Sequence, residues 1–234
     1  MTSWRRTALS LGALLLATAC TAAPDHDSAA TDHGTAATAP SAPAEEPAES
    51  PSPPLVVRSL TSAEVQYGWW NWAAGSTADR SPVLDRSGRW CAEGQHENIW
   101  YLAGTTGGGA VERTCTVPLG LPVLFPLVTR FGEASDCETF MDTAEGSATL
   151  DGAPLAAEPL GATRIKLRRA PGSPFGDSAA HIENTWSCGL WVRMDPPAPG
   201  LHELTVWGQA SEPGITVAVD YHLRVAAPVP TGAV

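Results

Sequence analysis

Ile215-Thr216-Val217-Ala218-Val219-Asp220-Tyr221-His222-Leu223-Arg224-Val225 decides the fold class. Successive side chains of a strand point to opposite faces, so Ile215, Val217, Val219, Tyr221, Leu223 and Val225 share one face. Thr216, Asp220, His222 and Arg224 share the other. Further back the chain repeats this texture in shorter pieces. Residues 99–103 precede a Gly107-Gly108-Gly109 turn, and 122–128 form a buried run. Residues 148–155 centre on Asp151-Gly152, a hairpin signal. Residues 163–167 alternate, and 186–194 lead through a Pro-rich turn at 195–200 into 202–207. Short strands with turn signals and no βαβ rhythm predict a mainly β fold, a single antiparallel β-sandwich of jelly-roll or Ig-like type.

One helix is expected before the strands. Thr61-Ser62-Ala63-Glu64 spells a capping box, with Thr61 at the N-cap and Glu64 at N3. Leu60 and Val65 stand at the staple positions. The helix should cover 62–74 and stop at Gly75. Val65, Trp69 and Trp72 form a stripe on it that should face the sheet. Tyr67 and Trp70 point elsewhere and are exposed unless loops cover them. Exposed aromatic pairs mark binding surfaces, so Tyr67 and Trp70 are the candidate ligand-contact residues.

The N-terminus reads as an address. Arg5 and Arg6 precede an apolar run around Leu14-Leu15-Leu16, and Ala17-Thr18-Ala19 stands directly before Cys20. A basic start, a short apolar stretch and small residues at the cut make a removable export signal over 1–19. The apolar run is too short for a spanning helix, which needs about 20 residues. With the cysteine at the cut, the segment resembles a bacterial lipoprotein signal, although Ala17 stands where that signal usually has leucine. The resemblance implies lipidation of Cys20 and anchoring to the outer face of the cell membrane. The same Ala-x-Ala would serve an ordinary signal peptidase and leave a secreted chain. Residues 20–54 hold Ala, Thr, Pro, Ser and acid with no aromatic residue, so they cannot bury enough apolar area to order themselves. They are expected to be a tether, reaching roughly 30 Å as a coil and ~100 Å if extended. Residues 55–228 are the domain, and 229–234 a loose end.

Five cysteines are present. Setting Cys20 aside for the lipid leaves Cys91, Cys115, Cys137 and Cys188, an even number in a chain sent to an oxidising compartment. Four cysteines allow three connectivities. Cys91–Cys115 with Cys137–Cys188 closes the shorter loops and fits consecutive hairpins. Zinc would want closer cysteine pairs than these.

The stretch Pro82-Val83-Leu84-Asp85…Gly88…Cys91-Ala92…Gly94-Gln95…Trp100-Tyr101-Leu102-Ala103-Gly104 is the densest motif. It continues through Gly107-Gly108, Arg113-Thr114-Cys115-Thr116-Val117-Pro118, Gly120 and Leu124-Phe125-Pro126. Together these residues resemble a group of secreted bacterial proteins to which no activity is attached. The likeness runs from Trp69 to about Val225. It implies one exported β-rich domain with Cys91 and Cys115 as partners, and it brings no catalytic residue with it.

Charge narrows the partners. The formal net charge is −11, and loss of Arg5 and Arg6 with the leader takes it to −13. Such a surface repels phosphate backbones, which excludes nucleic acid. No catalytic set emerges. Phe175-Gly176-Asp177-Ser178 resembles the F-G-D-S block of a large esterase and lipase class, whose closing Asp-x-x-His is one residue short here at Asp220-Tyr221-His222. The block reads as turn chemistry. Glu133, Asp136, Glu138, Asp142 and Glu145 lack calcium-loop spacing and read as a solvated loop. His96, His181, His202 and His222 lack zinc spacing. Residues 104–109 lack the Gly-Lys-Ser/Thr of a phosphate loop, so no cofactor and no metal is expected. The sequence reading is a non-catalytic binding or cell-envelope interaction domain, its partner a glycan or protein of the envelope besides the membrane. The alternative is a secreted hydrolase of esterase or glycosidase type, with paired carboxylates that sequence cannot nominate.

Overall fold

Thr61 begins the first long element. Its hydroxyl accepts from the Glu64 N–H at 3.3 Å, and the Glu64 carboxylate accepts from the Thr61 N–H at 2.7 Å. This capping box opens α1 (Ser62–Ala73) as the sequence predicts. The computed structural model describes residues 57–107, 109–176 and 181–226. The leader, Cys20, the tether and 229–234 lie outside the described residues, as do Asp177 and Ser178.

After α1 come β1 (Trp100–Tyr101), β2 (Val111–Pro118), β3 (Val123–Gly132), α2 (Ala134–Thr143), β4 (Glu145–Leu150) and β5 (Ala153–Pro154). The chain then continues through β6 (Ala157–Arg169), β7 (His181–Met194), β8 (Gly200–Ala210) and β9 (Ile215–Ala226). Four strands make one sheet in the order β1-β3-β7-β6, and five make the other in the order β2-β9-β8-β4-β5. Asp151 and Gly152 adopt φ of 51° and 79°, and Leu150 pairs with Ala153, so the expected hairpin forms there.

The fold is mainly β, but the sheets are mixed rather than antiparallel. β1 pairs with β3 in parallel, and β2 pairs with β9 in parallel over eight residues from Val111↔Val219 to Pro118↔Ala226. The reason lies in the connections. After β2 the chain crosses into the other sheet to make β3, so β2 cannot pair with the strand that follows it and borders β9 instead. Burial periodicity reports which face is covered and carries no information on the direction of the neighbouring strand.

The inner faces supply one shared core. Val123, Phe125, Leu127, Val192 and Met194 of the four-stranded sheet meet Val117, Leu204, Val206, Val219, Tyr221 and Leu223 of the five-stranded sheet. β9 buries Val217, Val219, Tyr221, Leu223 and Val225 in strict alternation, as its sequence requires. β3 does not alternate because both its faces are covered. Its other side carries Leu124 against α1, beside Tyr101, Leu167 and Trp191. The sheets approach closely at Gly208 of β8, where an added Cβ would stand 2.3 Å from the Leu127 carbonyl oxygen.

The expectation of one helix is corrected by α2. The acidic run expected as a loop is helical from Ala134, with Cys137 and Phe140 buried one turn apart and Glu138 and Asp142 turned to solvent. The Asp136 carboxylate accepts from the Glu133 N–H at 3.2 Å, supporting the first turn. Cys137 of α2 faces Cys188 of β7 with Cα atoms 5.7 Å apart, and Cys91 faces Cys115 of β2 at 5.8 Å. Both pairs lie at disulfide spacing in the expected pairing.

Candidate functional site

The site is built around a buried charge. In β2, Val111, Arg113, Cys115 and Val117 occupy the inward positions, and Arg113 is 1% exposed. Its guanidinium donates Nε to the Asp85 carbonyl at 2.8 Å and Nη2 to the Val83 carbonyl at 3.2 Å. Nη1 reaches the Ala103 and Gly104 carbonyls at 2.6 and 3.1 Å and the Tyr221 hydroxyl at 2.8 Å. Burial pushes the Tyr221 phenol up, countered in part by the Arg113 charge. A planar five-donor fork is the side chain that satisfies several carbonyls at once.

The motif around Cys91 serves this scaffold. Gln95 donates Nε2 to the Cys91 and Tyr101 carbonyls and accepts from the Tyr101 N–H, each at 2.8 Å, so one amide stands in for a neighbouring strand beside β1. Gly88 sits at φ 89°, and a Cβ there would meet the Thr114 carbonyl oxygen at 2.3 Å. The residues quoted for the secreted-protein likeness thus hold loops together around Arg113 and Cys91.

Val83 and Gly104, both tied to Arg113 through their carbonyls, form part of the wall of a cleft of about 300 Å³. The remaining wall comes from Trp69 and Trp70 of α1, Pro126 to Phe131 along β3, Thr105 and Thr106 after β1, Phe175, and Pro213, Ile215 and Val217 around the start of β9. Trp70 meets Phe131 edge-to-face at 4.8 Å and Phe175 at 5.3 Å, and Trp69 at 5.0 Å. Its indole N–H donates to the Ser187 hydroxyl at 2.8 Å, and that of Trp69 to the Leu102 carbonyl at 2.8 Å. Both rings are locked, with their only donors spent inside the protein. The Thr129 hydroxyl is spent likewise on the Cys188 carbonyl at 2.7 Å. Two buried polar atoms of lining residues have no partner among the described residues: Thr105 Oγ1 and Arg130 Nε. Arg130 Nη2 pairs with Asp136 Oδ2 at 2.9 Å.

The expected exposed pair is therefore divided. Tyr67 is 40% exposed and does not line the cleft, whereas Trp70 is 4% exposed and does. Trp70 is covered by Phe131, which comes from a distant strand, and by Phe175, from the loop after β6. The helix wheel gives its direction but not its cover. Trp69 and Trp72 are buried as the stripe implies, so all three tryptophans of α1 are buried.

The other candidate groups lie elsewhere. Asp220 and His222 share the outer face of β9, with Tyr221 between them in the core, so the esterase-like ending points away from the core. His222 contacts Glu112 and Glu203, and hydrogen bonds to those two carboxylates hold its pKa above the ordinary value. Among the described residues no group of three His, Cys, Asp or Glu is placed to hold a metal. A second hollow, beside the α1 N-terminus, has about 410 Å³, but its charges pair with each other, Arg193 Nε standing 2.8 Å from Glu158 Oε2.

His202 ties the Asp151 turn to β8. Its Nδ1 lies 2.7 Å from Asp151 Oδ2 and its Nε2 lies 2.8 Å from the Ala198 carbonyl. Two acceptors favour the doubly protonated ring, so the bond to Asp151, then that to Ala198, raises the His202 pKa, while the Asp151 pKa is lowered. A raised histidine stabilises the fold fully below its unfolded value of about 6.5, and that contribution disappears as pH rises through the folded value. His202→Asn should reduce the loss of stability seen between neutral and mildly alkaline pH, with His222 supplying the remainder. Chemical denaturation across that range checks it, and an unchanged pH slope contradicts it.

No family model matches the chain, and no curated protein does. A solved structure, the solution structure of amebosin, aligns over 50% of this chain and 100% of its own at 11% identity, with a TM-score of 0.17. A likeness at that score carries no argument for fold or function.

Proposed function

We propose that the chain is a lipid-anchored extracytoplasmic binding protein, a β-sandwich on a tether, whose cleft takes a small apolar ligand. The observation that carries this reading is the cleft itself, a pre-formed concave site with aromatic walls and few polar groups. Among the described residues that line it, Arg130 is the only ionisable one. Proton transfer needs a group that can take or give a proton near neutral pH, and an arginine cannot. The cleft therefore favours binding over hydrolysis. Its apolar walls also favour a small apolar molecule over an envelope glycan, whose hydroxyls would lose water without gaining partners. Export to the outer face of the bacterial membrane rests on the leader and Cys20, and two cysteine pairs at disulfide spacing suit an oxidising compartment. The likeness to secreted bacterial proteins points the same way.

Two experiments test the two halves. Cys20→Ala should move the protein from the detergent phase to the soluble fraction with its fold intact, and continued membrane retention contradicts lipid anchoring. For the cleft, naphthalene is a suitable neutral probe. It should bind the wild-type protein, and Thr106→Trp should block it by placing an indole at the rim, where Thr106 is exposed. Undiminished binding to a folded Thr106→Trp variant would put the ligand elsewhere.

A further inference from the structure

We infer that the apolar ligand of this cleft is one unbranched alkyl chain of about a dozen carbons, its polar head left outside; this rests on the cleft being the binding site. Two measures of the cleft agree on that chain. Capacity is the first. An apolar cavity of roughly 150 Å³ admits the six carbons of benzene, so about 300 Å³ has room for about twice as many. Length is the second. Six consecutive residues of β3, Pro126 to Phe131, line the cleft, and at about 3.3 Å per residue they run for roughly 16 Å. An extended alkyl chain advances about 1.25 Å per carbon–carbon bond, so about a dozen carbons cover that run, whereas two fused rings reach about half as far. The remaining wall would then lack contacts.

The wall chemistry fits a chain without polar groups. The indole N–H groups of Trp69 and Trp70 and the Thr129 hydroxyl are committed to protein acceptors, so they call for no acceptor on an occupant. Leu127, Phe131, Ile215 and Val217 add hydrocarbon. Arg130 carries the charge of the lining, and Asp136 balances it at 2.9 Å. No unbalanced charge therefore draws an ionic head inward, where it would lose water without gaining a partner. Thr106 and Pro213 are exposed members of the wall and mark its mouth, where the head stays in water.

The test is calorimetric titration of the full Cys20→Ala chain, which needs no detergent, with octyl, decyl, dodecyl and tetradecyl maltoside below their micelle-forming concentrations. Affinity should rise about fourfold per added carbon and level off near dodecyl, where further carbons stand outside. Ile215→Trp, at a partly exposed wall position, fills part of the cleft and should move the plateau to a shorter chain. If that variant does not fold, the wild-type plateau decides the matter. Laurate and lauroyl lysophosphatidylcholine carry the same tail. Tighter binding of laurate assigns a free fatty acid, and equal or tighter binding of the lysolipid assigns a membrane lipid. A rise that continues unbroken through tetradecyl, or a plateau that a folded Ile215→Trp variant leaves in place, overturns the inference. So does binding of naphthalene without any alkyl probe, which leaves the cleft reading intact. Failure of naphthalene and the alkyl probes alike overturns the cleft reading itself.

Discussion

Arg113→Met is expected to destabilise the domain by about 3–5 kcal/mol, the cost of breaking a buried charged network from one side. The methionine fills much of the volume but leaves the carbonyls of Asp85, Val83 and Gly104 without the donor that now serves them, while that of Ala103 keeps the Tyr221 hydroxyl. Each orphaned buried carbonyl costs about 1–3 kcal/mol before relaxation. Arg113→Lys should recover only part, since an ammonium has no planar fork to reach both loops. Arg86→Ala is the control. Arg86 is exposed and makes one bond to the Ala110 carbonyl at 3.2 Å, so its loss should stay within about 0.5 kcal/mol. Urea unfolding of the three variants provides the measurement. A loss at Arg113 no larger than that at Arg86 would mean that the loops around the cleft are held by something else.

Trp70→Ala should cost about 3–5 kcal/mol, as removal of a large buried aromatic does. The ring is packed between Phe131 and Phe175, and its N–H is bonded to Ser187, so truncation leaves both a cavity and an unpartnered hydroxyl. Tyr67→Ala, one turn away and 40% exposed, should change stability by less than about 1 kcal/mol. The same unfolding experiment separates them, and comparable small losses would place Trp70 at the surface. Trp70→Phe is the variant to carry into binding work, because it keeps an aromatic wall and loses only the bond to Ser187.

What the sequence disclosed and what it withheld follow a physical division. Local rules were legible. The alternation of 215–225 became β9, Thr61 and Glu64 closed the capping box, and Asp151-Gly152 turned the β4–β5 hairpin. Each of these depends on residues within one turn or one strand. The parallel pairing of β2 with β9 was not legible, because it is fixed by where the chain goes between strands. α2 was masked by its acids. Its apolar side amounts to Cys137, Phe140 and Met141, a spacing of three and four that stands out only if the acids are read as one face. Arg113 does leave a signal in the sequence, a single charge in the otherwise apolar alternation of Val111, Cys115 and Val117. The cleft left none. Its walls come from α1, β3, the loop after β1, Phe175 and the start of β9, and no local pattern reports such a meeting.

The proposed ligand site is this cleft and no other surface. Two-dimensional NMR of the labelled domain titrated with naphthalene tests it most directly. The Trp70 indole N–H and the methyl groups of Leu127, Ile215 and Val217 should shift together and saturate at one affinity, while Thr205 and His222 on the outer face of the five-stranded sheet stay fixed. Saturable shifts confined to that outer face, or no saturable shift at Trp70, would contradict the account.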